Sequence, residues 1–330
     1  MFTKTKIYKS LDFIIKAIIL FFAYYFIYDA IFKQNKLKNI FSTLQEGLST
    51  MSIWFLILAL ILVFVNWTIE TKKWRMLIIK IEKISFFKAF QAVLAGLTIS
   101  IFTPNRIGEF FGRAFILRKR NIPAGIMLTI ISSFSQLLIT LAMGTIALFY
   151  FIQTQDVSKY LNPQQAWIIQ LFAFILLLLF FILFFNVSKL VFLSTKIKNR
   201  KIAAFFKVLQ WYSRKELAIL LLWSFSRYLV FSFQFYLLFL FFGFNPGIFV
   251  SLILTSLIYY IVAAIPSIAL AEIGIRGSVS IFVFGLYFSS SFDKDMATII
   301  LSASSLIWLI NLIIPAIFGS ISLLRIKYIK

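Results

Sequence analysis

Two glutamate–arginine pairs, Glu109 with Arg113 and Glu272 with Arg276, stand in a chain that is 62% hydrophobic and 13% charged. A four-residue spacing puts both members on one helix face, where carboxylate and guanidinium can pair. Each pair follows a proline, Pro104 or Pro266. An ionised group at bilayer depth costs roughly 3 kcal/mol on insertion scales, so it ordinarily faces a partner or a wet cavity. The planar guanidinium fork suits phosphate. Arg113 and Arg276 therefore read as ligands for an anionic head group, with Glu109 and Glu272 orienting them or exchanging a proton. Two intrahelical ion pairs that merely lock their segments would show the same spacing.

Arg106, two residues past Pro104, reads either as an anion ligand at a helix N-terminus or as a side chain reaching toward the cytoplasm. Arg227, in "LLWSFSRYLVFSFQF", falls near the middle of an apolar run. From there it is expected to pair with a hairpin carboxylate or touch substrate. Asn66, Glu70, Gln136, Gln234 and Asn311 rank lower, because single polar residues in membrane helices commonly bond a neighbouring helix. The chain has no His and no Cys. That excludes a histidine-based triad, a His- or thiolate-ligated metal and disulfides. No cofactor is expected.

These residues must be positioned by membrane helices. Apolar runs near 11–32, 51–70, 122–152, 166–187, 217–243 and 296–324 reach the ~20 residues that cross a bilayer. The first follows Lys4, Lys6 and Lys9 but has no small-residue cleavage site, so it reads as a retained helix. Lys and Arg mark the cytoplasmic side. Segments 1–10, 71–88, 105–120, 189–215 and 325–330 hold 25 of them, and the intervening loops hold 5. Both ends of 86–117 then lie in the cytoplasm, which predicts a re-entrant hairpin with its tip at Pro104, Asn105 and Gly108. Loops 243–247 and 289–295 are both poor in cations. The segment between them, broken at Pro266 and carrying Gly274, predicts a second hairpin entering from the opposite face. The expected fold is all-α: a polytopic membrane helix bundle, one integral membrane domain over 1–330. It has six full crossings plus two re-entrant helical hairpins, in an inverted repeat of roughly 11–152 and 166–324. Eight full crossings is the alternative.

The formal charge of +22 fits cytoplasmic loops with an affinity for anionic membrane lipids, and no nucleic acid is expected. The basic loop 194–215 could lie on the inner leaflet as a short amphipathic helix or serve only as a topology signal.

The block "TPNRIGEFFGRAFILRKR" resembles the signature segment of the lysylphosphatidylglycerol synthase transmembrane-region family, with Pro104, Arg106, Gly108, Glu109 and Arg113 at the matching positions. Gly274 and Arg276 resemble the family's later Gly-x-Arg segment. Members commonly place an acidic residue after that Arg; here it is Gly277, and Glu272 lies upstream instead. The resemblance implies movement of a phospholipid or lipid-linked precursor between leaflets. The chain ends six residues after its last expected helix, so no aminoacyl-transferring soluble domain, and no synthase activity, is expected. The leading expectation is a lipid flippase or transporter of the cell inner (plasma) membrane, with both termini cytoplasmic. A membrane-embedded transferase on a lipid-phosphate carrier, with Glu109 or Glu272 as base, is the alternative. A non-transporting accessory subunit is another, and homo-oligomerisation stays open.

Overall fold

The computed structural model describes residues 52–101, 103–155, 161–192, 200–267 and 269–325. The expected first helix at 11–32 and residues 194–199 of the basic loop lie outside them. Every regular element among the described residues is helical. Six helices are long and apolar enough to cross a membrane: Ile53–Ile78, Lys119–Thr154, Pro163–Phe185, Arg214–Phe241, Ala271–Phe288 and Lys294–Leu323. Five of them coincide with expected crossings. The sixth lies where the second arm of the second hairpin was expected.

The described residues open with α1 (Ile53–Ile78), which runs eight residues past its expected end at 70. Lys73, counted above among the cytoplasmic loop cations, is therefore inside the helix and only 1% exposed. That is a correction: a charge count by segment cannot see that a helix continues when an acidic partner, Glu70, is one turn back.

The first hairpin follows as α2 (Phe86–Ser100) and α3 (Gly108–Ala114), joined by a turn at Pro104–Arg106. At 1.5 Å per residue, 15 and 7 residues give about 22 and 10 Å, both short of a ~30 Å hydrocarbon core. Small residues bring the arms together. A Cβ on Gly112 would stand 2.6 Å from the Cα of Gly96, and one on Gly96 would stand 2.7 Å from Cγ of Arg113. Close backbone approach of this kind supplies packing where lipid gives no hydrophobic drive.

At the open end of the hairpin, Glu82 accepts from the backbone N–H of Arg118 and from Nδ2 of Asn121, each at 2.9 Å. Burial pushes the Glu82 carboxyl up, but those hydrogen bonds and the Lys88 and Arg118 charges hold it below the ordinary range.

Next come α4 (Ile122–Thr154), α5 (Pro163–Phe185), the short α6 (Arg200–Lys207) and α7 (Arg214–Phe241). Capping boxes start α5 at Asn162 with Gln165 and α7 at Ser213 with Glu216. The central helix α7 packs along α1, and this pairing brings Arg227 to Glu70 and Lys73.

The second apolar pair is α8 (Ile248–Ala264) and α9 (Ala269–Phe288), on either side of Pro266. Their 17 and 20 residues correspond to about 26 and 30 Å. The second arm is thus longer than a short re-entrant segment requires. The last expected crossing is α10 (Lys294–Trp308) and α11 (Ile314–Arg325), with a π turn over Leu309–Ile313 between them. The N–H of Ile314 bonds the carbonyl of Leu309, five residues back. Pro315 explains the irregularity, since its ring clashes with the carbonyl four residues earlier and it has no N–H to donate. Helix α11 rests on α2, where Thr98 Oγ1 donates to the Ala316 carbonyl at 2.9 Å.

Candidate functional site

The two proline-broken turns touch. The Asn105 N–H donates to the Ser267 carbonyl at 2.9 Å, and the Ser267 N–H donates to Asn105 Oδ1 at 3.0 Å. This reciprocal pair joins the tip of the first hairpin to the break between α8 and α9. Asn105 and Arg106 both have left-handed backbone, at φ 48° and 57°. Two such non-glycine residues in a row cost about 1–2 kcal/mol each, a strain sustained by surrounding contacts. The result is that Arg106 projects toward α9.

There it meets Glu272. Arg106 Nη2 lies 2.7 Å from Glu272 Oε2, and Arg276 Nη2 lies 2.6 Å from Glu272 Oε1. One carboxylate thus bridges a guanidinium from the Pro104–Arg106 turn and one from α9. The helix-terminus role expected for Arg106 does not follow, because α3 is only seven residues long and its Gly108 N–H already donates to Thr103 Oγ1 at 2.9 Å. Gly108 is required on space: a Cβ there would stand 2.6 Å from the Ile99 carbonyl. Gly274 is not, for a Cβ there meets nothing within 4 Å.

Behind this bridge lies a second, deeper cluster centred on Glu70. Arg113 Nη1 approaches Glu70 Oε1 at 2.6 Å, and its other terminal nitrogen pairs with Glu109. Lys73 and Arg227 share Glu70 Oε2, each at 2.9 Å. Arg227 Nε also donates to Asn66 Oδ1 at 2.8 Å, and Asn66 Nδ2 donates to Asn311 Oδ1 at 3.1 Å. Arg227 therefore pairs with a carboxylate of α1, not with a hairpin carboxylate as expected. Its guanidinium lies 5.3 Å from the ring centres of Trp67 and Phe231, while that of Arg276 lies 5.5 Å from Tyr259.

A cavity of about 540 Å³ opens in front of these groups. Asn105, Arg106, Arg227, Glu272 and Arg276 line it, with Asn311 at the π turn. Its apolar wall includes Leu137, Val262 and Ile265. Arg113 and Glu109 do not line it. Arg113, 1% exposed, is turned to Glu70 and Glu109. Five lining residues carry a buried polar atom without a partner: Trp67 Nε1, Gln136 Oε1, the Tyr259 hydroxyl, Arg276 Nε and Trp308 Nε1. Most of these are donors. Across both clusters, five cations (Lys73, Arg106, Arg113, Arg227 and Arg276) stand against three carboxylates (Glu70, Glu109 and Glu272), a formal excess of two positive charges. Among the described residues, no group of three or more His, Cys, Asp or Glu is placed to hold a metal ion.

A smaller cavity of about 370 Å³ lies at the hairpin base among Lys83, Lys88, Arg118 and Arg120. It contains none of the buried pairs.

Sequence reasoning undervalued Glu70, Asn66 and Lys73. The available signal was the i, i+3 spacing of Glu70 and Lys73 beside Asn66, one turn earlier on the same helix.

Searches against curated proteins and against solved structures return no match. The family model described as the lysylphosphatidylglycerol synthase TM region matches residues 13–319, nearly the whole chain. With a multi-pass helical bundle and a cavity lined by charged residues, the protein belongs to the lysylphosphatidylglycerol synthase transmembrane-region family.

Proposed function

We propose that this protein moves an anionic lipid between leaflets, binding the head group in the 540 Å³ cavity while the acyl chains stay in the bilayer. The observation that carries this reading is the surplus of two positive charges beside that cavity. Uncompensated charge at membrane depth is costly, and an anionic head group offsets it. The apolar wall and the 38% exposure of the Arg106 side chain leave the polar groups reachable from one side.

The hairpin reading enters as part of this proposal. Arms of about 22 and 10 Å, with their open ends stapled at Glu82, suit a first hairpin that enters and leaves on one face. The positive-inside bias supports a reading in which that face, and both termini, lie in the cytoplasm of an inner-membrane protein. The touching tips, each a proline followed by Glu-x-x-x-Arg, suit an inverted repeat.

A transferase reading needs a carboxylate free to act as base. Glu70, Glu109 and Glu272 are each held by at least one guanidinium, which favours transport over chemistry.

The test is reconstitution in liposomes with fluorescent phosphatidic acid, phosphatidylglycerol and phosphatidylcholine. Anionic lipid crosses faster than in protein-free vesicles, and Arg276→Gln together with Arg106→Gln reduces that rate by about tenfold or more. Movement that ignores lipid charge, or survives both substitutions, overturns the reading.

A further inference from the structure

We propose that the cavity selects a lipid phosphate carrying two negative charges, a phosphomonoester or a diphosphate, and that this group takes the place of Glu272 on Arg106 and Arg276. The inference rests on the anionic-lipid reading and narrows it.

Glu272 occupies its two guanidiniums as a phosphate would. Its oxygens are divided, one to Arg106 at 2.7 Å and one to Arg276 at 2.6 Å. Two guanidiniums converging on one small anion form a binding site for tetrahedral oxyanions. Arg276 commits only Nη2 to this bridge, and its Nε has no partner, so half of a bidentate edge is unused.

The bridge is also the exchangeable part of the network. The Arg106 side chain is 38% exposed and lines the cavity, whereas Arg113 and Glu70 are 1% and 3% exposed and lie behind it. An incoming anion meets Arg106 and Arg276 first and leaves the Glu70 cluster intact.

Charge balance sets the class. The two clusters carry a formal excess of two positive charges with Glu272 ionised. A phosphodiester supplies one negative charge and leaves one unbalanced. A zwitterionic head group leaves both. A dianion closes the count. Three of the lining aromatic rings already carry a cation: Arg227 lies over Trp67 and Phe231, and Arg276 over Tyr259, which leaves a choline-type head group fewer faces to stack on.

Exchange has a mechanical consequence. Arg106–Glu272 is the ionic link between the first hairpin and α9 among the described residues. When a phosphate replaces Glu272 it bridges Arg106 and Arg276 in turn, so the ionic link between the tip and α9 then runs through the ligand, beside the Asn105–Ser267 hydrogen bonds.

The sign of one substitution tests this. In the exchange scheme Glu272 is an internal competitor, so Glu272→Gln binds dioctanoyl phosphatidic acid about tenfold tighter than wild type. If Glu272 only braces the arginines, the same change weakens binding. Wild type binds dioctanoyl phosphatidic acid about tenfold tighter than dioctanoyl phosphatidylglycerol near pH 7.5. The preference shrinks below about pH 6, where a phosphomonoester dianion takes up a proton and becomes a monoanion. Glycerol 3-phosphate, which lacks acyl chains, separates recognition of a lipid from recognition of free phosphate; it is expected to bind more weakly than the lipid. If Glu272→Gln does not yield folded protein, Arg106→Gln decides: it brings phosphatidic acid and phosphatidylglycerol to equal affinity. Equal affinity of the two lipids for wild type, with both still transported, overturns this inference and leaves the transport reading standing. Failure of every anionic lipid to bind overturns both.

Discussion

Arg113 on the short arm of the hairpin reaches Glu70, about two-thirds of the way along α1, at 2.6 Å, and the guanidinium is closed on its other side by Glu109. A short helix is thereby anchored to one long and apolar enough to cross a membrane. Glu70 is the only carboxylate that Arg113, Arg227 and Lys73 all share among the described residues.

Removing that carboxylate should be severe. Glu70→Gln leaves three cations facing each other with one negative charge fewer, and breaking a buried pair costs about 3–5 kcal/mol. The expected outcome is a large drop in melting temperature in detergent or loss of monodisperse protein. Lys73→Met in the same chain removes one of the stranded cations. The double variant should be more stable than Glu70→Gln alone, and a double variant no better than the single one would show that Lys73 is not part of the cluster's balance.

The sequence made the long helices and both breaks legible, because apolar length and proline act locally. The pairing of Glu109 with Arg113 and of Glu272 with Arg276 was legible for the same reason, since four-residue spacing is a property of one helix. What brings residue 66 to residue 311, or residue 106 to residue 272, is tertiary packing, and no local pattern carries it. Lys73 shows the cost of counting charges by segment: it belongs to a basic stretch by sequence but to a buried pair by structure. The π turn at Leu309–Ile313 could be anticipated only from Pro315, and its placement of Asn311 at the cavity could not.

Two glycines that look alike in the motif should respond differently. Gly112→Ala places a Cβ against the Gly96 backbone at 2.6 Å, so the hairpin arms must separate. Overpacking of this kind costs about 1–3 kcal/mol. Gly274→Ala meets open space within 4 Å and sits in a helix, where Ala is favoured over Gly by about 1 kcal/mol. Thermal unfolding of the two variants separates them: the first falls, the second holds or rises. Equal losses would contradict the close packing of α2 on α3.

The tip contact can be locked covalently, since the chain has no native Cys to interfere. Asn105→Cys with Ser267→Cys puts two thiols where the Asn105 N–H donates to the Ser267 carbonyl at 2.9 Å and the Ser267 N–H donates to the Asn105 side chain at 3.0 Å. An oxidant should cross-link them within one chain. If the tips part during each transport cycle, the cross-linked protein loses most of its lipid movement and a reductant returns it. Full activity in the oxidised form would mean that the tips stay together throughout.

At the hairpin base, Glu82 gives a pH-dependent prediction whose sign follows from its environment. Burial opposes its charge, but the Arg118 N–H, the Asn121 amide and the nearby Lys88 and Arg118 cations outweigh that and depress the folded-state value. A depressed carboxyl contributes stability that is fully present above its unfolded value, about 4.3, and that disappears as pH falls through the lower folded value. Glu82→Gln should therefore melt below wild type near pH 7, by an amount corresponding to roughly 1–2 kcal/mol for losing hydrogen bonds to a charged acceptor. As pH drops below about 4 the two proteins should converge, because wild-type Glu82 becomes neutral as well. Melting curves of both proteins between pH 3 and 7 measure the difference directly; a gap that stays constant over that range would mean the Glu82 charge contributes nothing to holding the hairpin base together.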